Sequence, residues 1–596
     1  MAKYTVQQHA VDTLLAWVKS GQIAIPEMQR PFVWTSIKVR DLVDSLYQGY
    51  PIGYLITWQS VDVGLKDGSV AGHKQILIDG QQRITAMTAA LVGQEVLNKR
   101  YRKERIKIAF NPITEEFATW TPFIGKDPQW IGDIAEVING TSLFGIVGKI
   151  CRDNPDADPE QIERNVSRLQ AVKHAQVGVI TLADDLDIET VTEIFIRINS
   201  KGVPLSSADF AMSKIASFGD EGSALRKLID YFCHLAIAPH VYDDILANDP
   251  AFTDSGYLAK IAWLRKDSED LYDPTYGDII RVAGLAGFKR GRPAALVGYL
   301  SGRDFETRTN DPALVAPAFE KLRDVLLRIT NEYNFKQLMI IIRSTGFISP
   351  SMIVAKNALN FAYALYLILL EDSSLTHGDR QRIVRRWFVM SMLTGRHSGS
   401  FESRWEQDIR RIGEVGAAAL LRNIEETELT DSFWDAALPD RLNTSSSENP
   451  IFKTFLAAQV FNHAKGFLSD SVTVQAMLQE MGDIHHVVPK DYLVKSGITD
   501  RSLYNQVGNY VMAETPVNIK ISNKVPGDYL ALVCEQIADG QLRLGGITSG
   551  EVLTENMRQN AIPENLAEVT AESYGQFLVE RRRLMASLLK DYYRSL

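Results

Sequence analysis

The chain has 596 residues, of which 45% are hydrophobic and 23% are charged, and this length and composition are typical of soluble globular proteins with several domains. Its formal net charge of −9 excludes a histone-like coat of positive charge, so binding to DNA requires local basic patches. Three widely spaced cysteines form no CxxC pair, which excludes a zinc ribbon and favours a reducing, cytoplasmic setting.

The N-terminal segment has no apolar signal core, and the most apolar run, residues 361–370, is too short to cross a bilayer. No membrane span is therefore expected, and residues 361–370 are predicted to form a buried helix. Residues 5–20 carry apolar side chains at a helical period, which predicts that a helix opens the chain. Two prolines exclude a regular helix over residues 25–34, so this stretch is predicted to run extended across a pocket.

A glycine turn follows the next buried strand, which is predicted over residues 75–78. Its sequence is Asp79-Gly80-Gln81-Gln82-Arg83, and a helix with Ile84, Met87 and Leu91 on its inner side comes next. A turn between a strand and a helix N-terminus presents backbone N–H groups to an anion, and Arg83 is suited to pair with a phosphate. Asp79 would then hold a metal ion or orient water. The alternative is an ordinary Asp-Gly turn in which Arg83 bridges two elements.

Further strands are predicted at residues 106–110 and 177–182. Residues 194–205 then run from an apolar helix into a polar turn, where Arg197 and Asn199 are placed to reach the pocket that Arg83 faces. A simple helix cap, formed by Asn199 and Gly202, explains the same residues equally well.

The sequence pattern predicts that residues 206–438 are helical almost throughout. This region contains a run of arginines interleaved with aromatic residues. Such a run is suited to follow a phosphate backbone, although nearby acidic residues leave a solvated helix face as an equal alternative. The arginines predicted to contact DNA are Arg385, Arg386, Arg396 and Arg404. Residues 439–450 are rich in Ser, Asn and Pro and are predicted to be a linker to a C-terminal unit.

The C-terminal unit contains two adjacent histidines, His485 and His486, in a segment predicted to be a short strand. Neighbouring strand residues point to opposite faces, so one histidine can act as a general base while the other binds a metal ion. On the template of a ββα-metal nuclease, His486 is the base, Asn509 orients it, and His485 and Asn518 bind the metal. Lys490 is predicted to contact a phosphate. The alternative is a structural histidine pair.

These motifs resemble those of GmrSD-like enzymes at both ends of the chain. His485-His486-Val487-Val488-Pro489-Lys490, with Val507-Gly508-Asn509-Tyr510 and Pro516-Val517-Asn518, resembles the HNH nuclease domain at the C-terminus of that family. The N-terminal motifs at residues 25–34, 79–83 and 195–202 resemble its DGQQR domain, and residues 396–400 resemble a motif of its helical region.

The resemblance implies an α+β multidomain protein that acts as a type IV, modification-dependent restriction enzyme in phage defence. Residues 1–205 would form an α/β domain similar to ParB and sulfiredoxin, residues 206–438 a helical region, and residues 451–596 an HNH nuclease with flanking helices. The first domain would bind and hydrolyse ATP or GTP, with Gln29, Arg30, Arg197 and Asn199 joining the Asp79–Arg83 turn.

The resemblance also implies that the nuclease cuts modified double-stranded phage DNA with Mg²⁺ or Mn²⁺, as a single chain or a homodimer. His485 stands where many HNH motifs carry an acidic residue, which favours Mn²⁺ more than usual and makes Asp483 an alternative ligand. We hypothesise that nucleotide or DNA state sensed by the N-terminal domain controls the nuclease. Two rival functions are a ParB-like DNA-binding regulator with a structural HNH unit and an NTPase toxin that acts on RNA.

Overall fold

The computed structural model describes residues 3–24, 34–59, 75–97, 103–140, 143–183, 186, 207–480 and 484–596. The chain divides into two units, one formed by Met1–Lys266 and Pro293–Glu320 and the other by Asp267–Arg292 and Lys321–Leu596. The predicted α+β class is confirmed. The division differs from the predicted boundaries, because helices that follow residue 206 pack within the first unit and residues 439–450 lie inside the second.

The strands and α-helices of the described residues are named here in chain order. The strands are β1 Tyr4–Ala10, β2 Ile23–Ala24, β3 Leu55–Gln59, β4 Gln75–Asp79, β5 Val96–Leu97, β6 Lys103–Glu104, β7 Ile108–Asn111, β8 Glu116–Thr119, β9 Gln176–Leu182, β10 Ile484–His486 and β11 Tyr510–Met512. The helices are α1 Val11–Lys19, α2 Ser36–Tyr47, α3 Gln81–Met87, α4 Ile134–Ile138, α5 Leu143–Asp153, α6 Pro159–Ala171, α7 Ser207–Ala216, α8 Gly219–Ile237, α9 Tyr242–Asn248, α10 Pro250–Asp254, α11 Tyr257–Lys260, α12 Tyr276–Phe288, α13 Pro293–Leu300, α14 Val315–Ile329, α15 Glu332–Arg343, α16 Lys356–Leu369, α17 His377–Thr394, α18 Phe401–Val415, α19 Ala417–Glu428, α20 Leu438–Arg441, α21 Pro450–Phe461, α22 Val474–Gln479, α23 Lys490–Lys495, α24 Arg501–Tyr504, α25 Thr515–Ile521, α26 Pro526–Asp539, α27 Gly550–Gln559 and α28 Tyr574–Ser595.

The first unit is built on a five-stranded mixed sheet with the strand order β1-β9-β3-β4-β2. Strand β9 is antiparallel to β1 and parallel to β3, while β4 is antiparallel to β3 and parallel to β2. The core against this sheet includes Leu14 of α1, Leu77 of β4 and Ile84 of α3, all fully buried. The predicted inner face of the helix after the glycine turn is confirmed, since Met87 and Leu91 are buried as well.

The predicted N-terminal helix is only partly correct. Residues Val11–Lys19 are helical, but Tyr4–Ala10 form strand β1, which pairs along its whole length with β9. Val6, one of the apolar positions in that helical pattern, is 52% exposed. Hydrogen bonding to a strand more than 160 residues later therefore outweighs the local helical spacing.

The second unit is mainly helical around the long helices α16, α17 and α28. The prediction of a buried helix at residues 361–370 is confirmed, because α16 is buried on nearly all sides from Ala358 to Leu367. None of the helices in the described ranges combines the length and hydropathy that a membrane span requires.

The C-terminal part of this unit contains a small antiparallel pair of strands, β10 and β11, with His485 opposite Val511 and His486 opposite Tyr510. Val487 and Val488 are fully buried and belong to a core that includes Val511 and Tyr529. The predicted linker is fastened to this region, because Val507 N–H donates to Thr444 O at 2.8 Å and the Tyr510 hydroxyl donates to Ser445 O at 3.2 Å.

Candidate active site

The glycine turn of the first unit has the predicted order of strand, glycine and helix. Gly80 is the residue before α3 and has a φ of +95°, a left-handed conformation that favours glycine. A Cβ atom at Gly80 would lie 2.2 Å from Cδ2 of Leu55. Close packing against β3 is thus a sufficient reason for a glycine at this position, and no bound phosphate is needed to explain it.

Arg83 lies beside this turn and holds two elements together. One of its terminal nitrogens, Nη2, forms a 2.9 Å ion pair with Asp79, and the other, Nη1, donates to Ile52 O at 3.1 Å. A Cβ atom at Gly53 would lie 2.3 Å from Nη1, so a side chain there would displace the guanidinium from this position. The bridging role given above as the alternative for Arg83 is therefore what these contacts show.

Several predicted site residues lie outside the described residues. They are Gln29, Arg30, Arg197 and Asn199, predicted to bind nucleotide, and Asp483, predicted as an alternative metal ligand. The structure thus describes Asp79 to Arg83 of the predicted nucleotide site and leaves its other members as predictions.

The histidine pair lies on β10, which pairs with β11, and the helix α25 follows β11 directly. His485 and His486 are half-buried on the first strand, Asn509 precedes the second strand, and Asn518 lies on the helix. The four predicted residues therefore fall, in order, on the first strand, just before the second strand and on the helix of a ββα unit. The strand that carries the histidines agrees with the sequence prediction, and the roles of the four residues remain predictions.

His486 is held through its side chain by Asn505, the residue that follows α24. Its Nε2 atom lies 3.0 Å from Oδ1 of Asn505. Because this oxygen can only accept a hydrogen bond, Nε2 carries the proton and Nδ1 of the neutral ring keeps its lone pair. Burial lowers the pKa of His486 below the usual value, although the Asn505 hydrogen bond opposes that shift. A neutral imidazole whose Nδ1 makes no hydrogen bond within the described residues is suited to accept a proton.

Asn509 acts on the backbone instead of the imidazole. Its side chain is fully buried, with Oδ1 accepting from Val488 N–H at 2.8 Å and Nδ2 donating to Val488 O at 2.9 Å. Asn509 therefore does not contact the His486 ring as predicted. Instead, its side chain clamps the backbone of Val488, two residues after His486. The backbone of Asn509 adds a hydrogen bond from Val487 N–H to its carbonyl at 2.8 Å.

The metal predicted for this unit is tested by the chemistry of the donor groups. Within the described ranges, no three His, Cys, Asp or Glu side chains are grouped so that they would hold a metal ion. The predicted pair of donors is the imidazole of His485 and the amide oxygen of the half-buried Asn518. Two such donors fit a cation that keeps several water ligands, as Mg²⁺ does, and do not fit a closed structural zinc site.

The arginines predicted to contact DNA fall into two groups. The Arg396 side chain is only 3% exposed and pairs with both oxygens of Asp408, at 2.9 and 2.6 Å, and with Glu428. Its predicted contact with DNA is therefore corrected to a buried structural ion pair. Arg386 is likewise engaged, with Glu425 at 2.8 Å and the Tyr593 ring at 4.7 Å.

The remaining predicted DNA contacts differ in exposure. Arg385 is half-buried, whereas Arg404 and Lys490 are exposed. Lys490 Nζ lies 5.5 Å from the centre of the Tyr504 ring, next to the residue that holds His486. Arg404 and Lys490 are thus the predicted residues that remain accessible to a phosphate.

The sequence interpretation missed two residues that structure the unit. Asn505 and Asn509 are only four residues apart, so their spacing from His486 does not decide which of them contacts the imidazole. Arg581, the first of three consecutive arginines, is fully buried. Its position four residues after Phe577 and four before Met585, both buried, is the helical signal that places it on the inner face.

Comparison with known proteins bears on the N-terminal part of the chain. Residues 11–216 match the family model described as the N-terminal domain of the GmrSD restriction endonuclease. This range contains the Asp79–Arg83 turn and supports a relationship to GmrSD-like restriction endonucleases.

The chain is also 20% identical over 584 residues to an uncharacterized protein from Methanocaldococcus jannaschii, an alignment that covers 88% of this chain and 87% of that protein. This relative has a similar extent but carries no functional description.

Proposed function

We propose that the chain is a DNA endonuclease of the modification-dependent restriction type, whose cutting site is the ββα unit around His486. The observation that carries the proposal is the 3.0 Å contact from His486 Nε2 to Asn505, which leaves Nδ1 of a neutral imidazole as a proton acceptor. The match of residues 11–216 to a restriction endonuclease family supports the same activity from the other end of the sequence.

In the proposed reaction His486 Nδ1 accepts a proton from a water molecule as the water oxygen attacks the phosphorus of the DNA backbone. The P–O ester bond opposite the attacking oxygen breaks, and the departing sugar oxygen takes a proton from solvent and leaves as a hydroxyl group. Asn505 keeps the ring oriented, and the Asn509 clamp on Val488 fixes the chain that leaves β10. Lys490, which is exposed and lies four residues after the base in the sequence, would contact a neighbouring phosphate. These residues bind, orient and deprotonate, which is the part of the chemistry that the protein supplies.

A divalent cation, Mg²⁺ or Mn²⁺, would be held by His485 and Asn518, with Asp483 as an alternative ligand. When bound, such a cation stabilises negative charge that develops on a phosphodiester. An imidazole ligand is softer than a carboxylate, so Mn²⁺ is expected to support cleavage at least as well as Mg²⁺.

The N-terminal domain is proposed to bind and hydrolyse ATP or GTP at the Asp79–Arg83 turn and to control cleavage. The family match spans this turn, and α3 begins directly after Gly80. Because Arg83 is engaged with Asp79 and the Ile52 carbonyl, the nucleotide is expected to bind mainly through backbone N–H groups at the turn.

The test is incubation of the full chain with plain, methylated and glucosylated phage DNA, with Mg²⁺ or Mn²⁺, and with or without ATP or GTP. We expect cleavage of modified DNA only. His486→Ala should lower the rate about 10²- to 10⁴-fold, the contribution of a positioned general base. His377→Ala, at an exposed histidine of α17, is the matched control and should cut at the normal rate.

Two outcomes would contradict the proposal. DNA binding without cleavage under every condition would favour the ParB-like regulator. Degradation of RNA with all three DNA substrates left intact would favour the toxin.

A further inference from the structure

Arg581 of helix α28 is a fully buried cation that contacts main-chain carbonyls. Its Nη1 donates to Gly508 O at 2.8 Å, and its Nη2 donates to Tyr510 O at 2.6 Å and to Asn560 O at 3.2 Å. Among the described residues the guanidinium pairs with no carboxylate, and Nε has no hydrogen-bond partner. Burial lowers the pKa of Arg581 to about 9, which reflects how unfavourable the uncompensated charge is in the interior.

The two nearest acceptors lie on either side of Asn509 in the sequence. A planar guanidinium presents its two terminal nitrogens in a fixed fork, so one side chain can hold the carbonyls of residues 508 and 510 at once. A lysine has a single head group on a flexible stem, and methionine has no donor at all. The contact with Gly508 and Tyr510 is therefore specific to arginine.

Asn509 carries this constraint to the strand with the histidines. Its side chain brackets Val488 through both the N–H and the C=O, and its carbonyl accepts from Val487 N–H. Val487 and Val488 follow His486 immediately. Tyr510, the other neighbour of Asn509, packs its ring edge-on against His486 at 5.5 Å between centroids.

We propose that Arg581 is a positioning residue of the candidate active site: by holding the carbonyls on both sides of Asn509, it fixes the backbone that presents His486. The role in cleavage rests on the proposed function, whereas the effect on the backbone does not. Burial of a charge without a counter-ion is unfavourable, and the carbonyls that Arg581 holds in place explain why an arginine stands here.

The test compares Arg581→Met with Arg583→Met in the full chain. Arg583 is exposed and two residues away on the same helix, which makes it the matched control. Hydrogen–deuterium exchange over residues 484–490 reports the amides of Val487 and Val488. We expect exchange there to become about 10-fold faster in Arg581→Met, because the clamp loosens, and to stay unchanged in Arg583→Met.

Cleavage kinetics give a second readout. A misplaced base lowers kcat about 100-fold, while KM for DNA stays the same because the exposed binding residues are untouched. The kcat of Arg581→Lys should lie between those of Arg581→Met and the unaltered chain, because lysine keeps the charge but lacks the two terminal nitrogens of the guanidinium. If Arg581→Met does not fold, Arg581→Lys decides the question with the same two measurements.

Normal exchange over residues 484–490 in a folded Arg581 variant would overturn the inference. Absence of cleavage by the unaltered chain would instead count against the proposed function, and the exchange measurement would still test the clamp.

Discussion

Asn505 Oδ1 lies 3.0 Å from His486 Nε2, so a residue four positions before the predicted partner holds the imidazole. Asn505→Ala removes the only acceptor of that Nε2 proton among the described residues and lets the ring rotate. We expect kcat for DNA cleavage to fall roughly 10- to 100-fold, with little change in the affinity for DNA. Asn523→Ala, at an exposed asparagine after α25, should leave both quantities unchanged. Equal rates for the two variants would contradict the assigned role of Asn505.

Substitution by methionine should affect stability at Arg396 and DNA binding at Arg404. Arg396→Met removes the guanidinium from the buried Asp408, whose other neighbour is the His397 imidazole at 3.6 Å. This is expected to lower the free energy of unfolding by about 3–5 kcal/mol in urea denaturation. Arg404→Met should change stability by about 0.5 kcal/mol or less. If Arg404 contacts a phosphate, its loss should reduce the salt dependence of DNA binding by about one counter-ion. A stable, weakly binding Arg396→Met variant would argue for an exposed role instead.

Gly80 should tolerate no side chain. An alanine there would adopt an unfavourable left-handed φ and place Cβ within 2.2 Å of Leu55 Cδ2. We expect Gly80→Ala to destabilise the first unit by about 1–3 kcal/mol, measured by thermal unfolding. Gly148→Ala in α5 is the control, since no atom lies within 4 Å of its added Cβ and alanine favours a helix. A neutral Gly80→Ala would mean that the turn is held less tightly than described.

Stability should fall as the pH is lowered below about 6.5, partly because of His234. Burial lowers the pKa of His234 to about 4, and nearby His240 shifts it in the same direction. An unfolded histidine titrates near 6.5, so between these values the unfolded chain binds a proton that the folded chain does not. The stabilisation is therefore complete above pH 6.5 and is lost as the pH falls towards 4. Thermal midpoints at pH 7 and pH 5 should differ less in His234→Leu than in the unaltered chain, while His174→Leu, at an exposed histidine, should keep the full difference.

Local patterns predicted the parts of the fold that depend on neighbours in sequence. The strand, glycine turn and helix around Gly80 follow from alternation, a turn residue and a helical period over about fifteen residues, and the structure has them. The pairing of β1 with β9 depends on residues far along the chain, so a local pattern read residues 5–10 as helix.

The candidate site shows the same limit at the level of side chains. The short strand that carries His485 and His486 was foreseeable from the sequence. Which asparagine contacts the ring was not, because Asn505 and Asn509 differ only in how the loop before β11 turns. Arg396 was predicted to contact DNA because it belongs to a run of arginines interleaved with aromatic residues, whereas Asp408 holds it in the interior.

The hydrogen bonds of residues 443–445 determine where a C-terminal fragment of this protein can begin. Asn443 accepts a hydrogen bond from Arg582, Thr444 from Val507 N–H and Ser445 from the Tyr510 hydroxyl. A C-terminal fragment that begins at Ser446 would leave all three donors without these acceptors, next to the strand that faces His486. A fragment intended to preserve that strand must begin before Asn443.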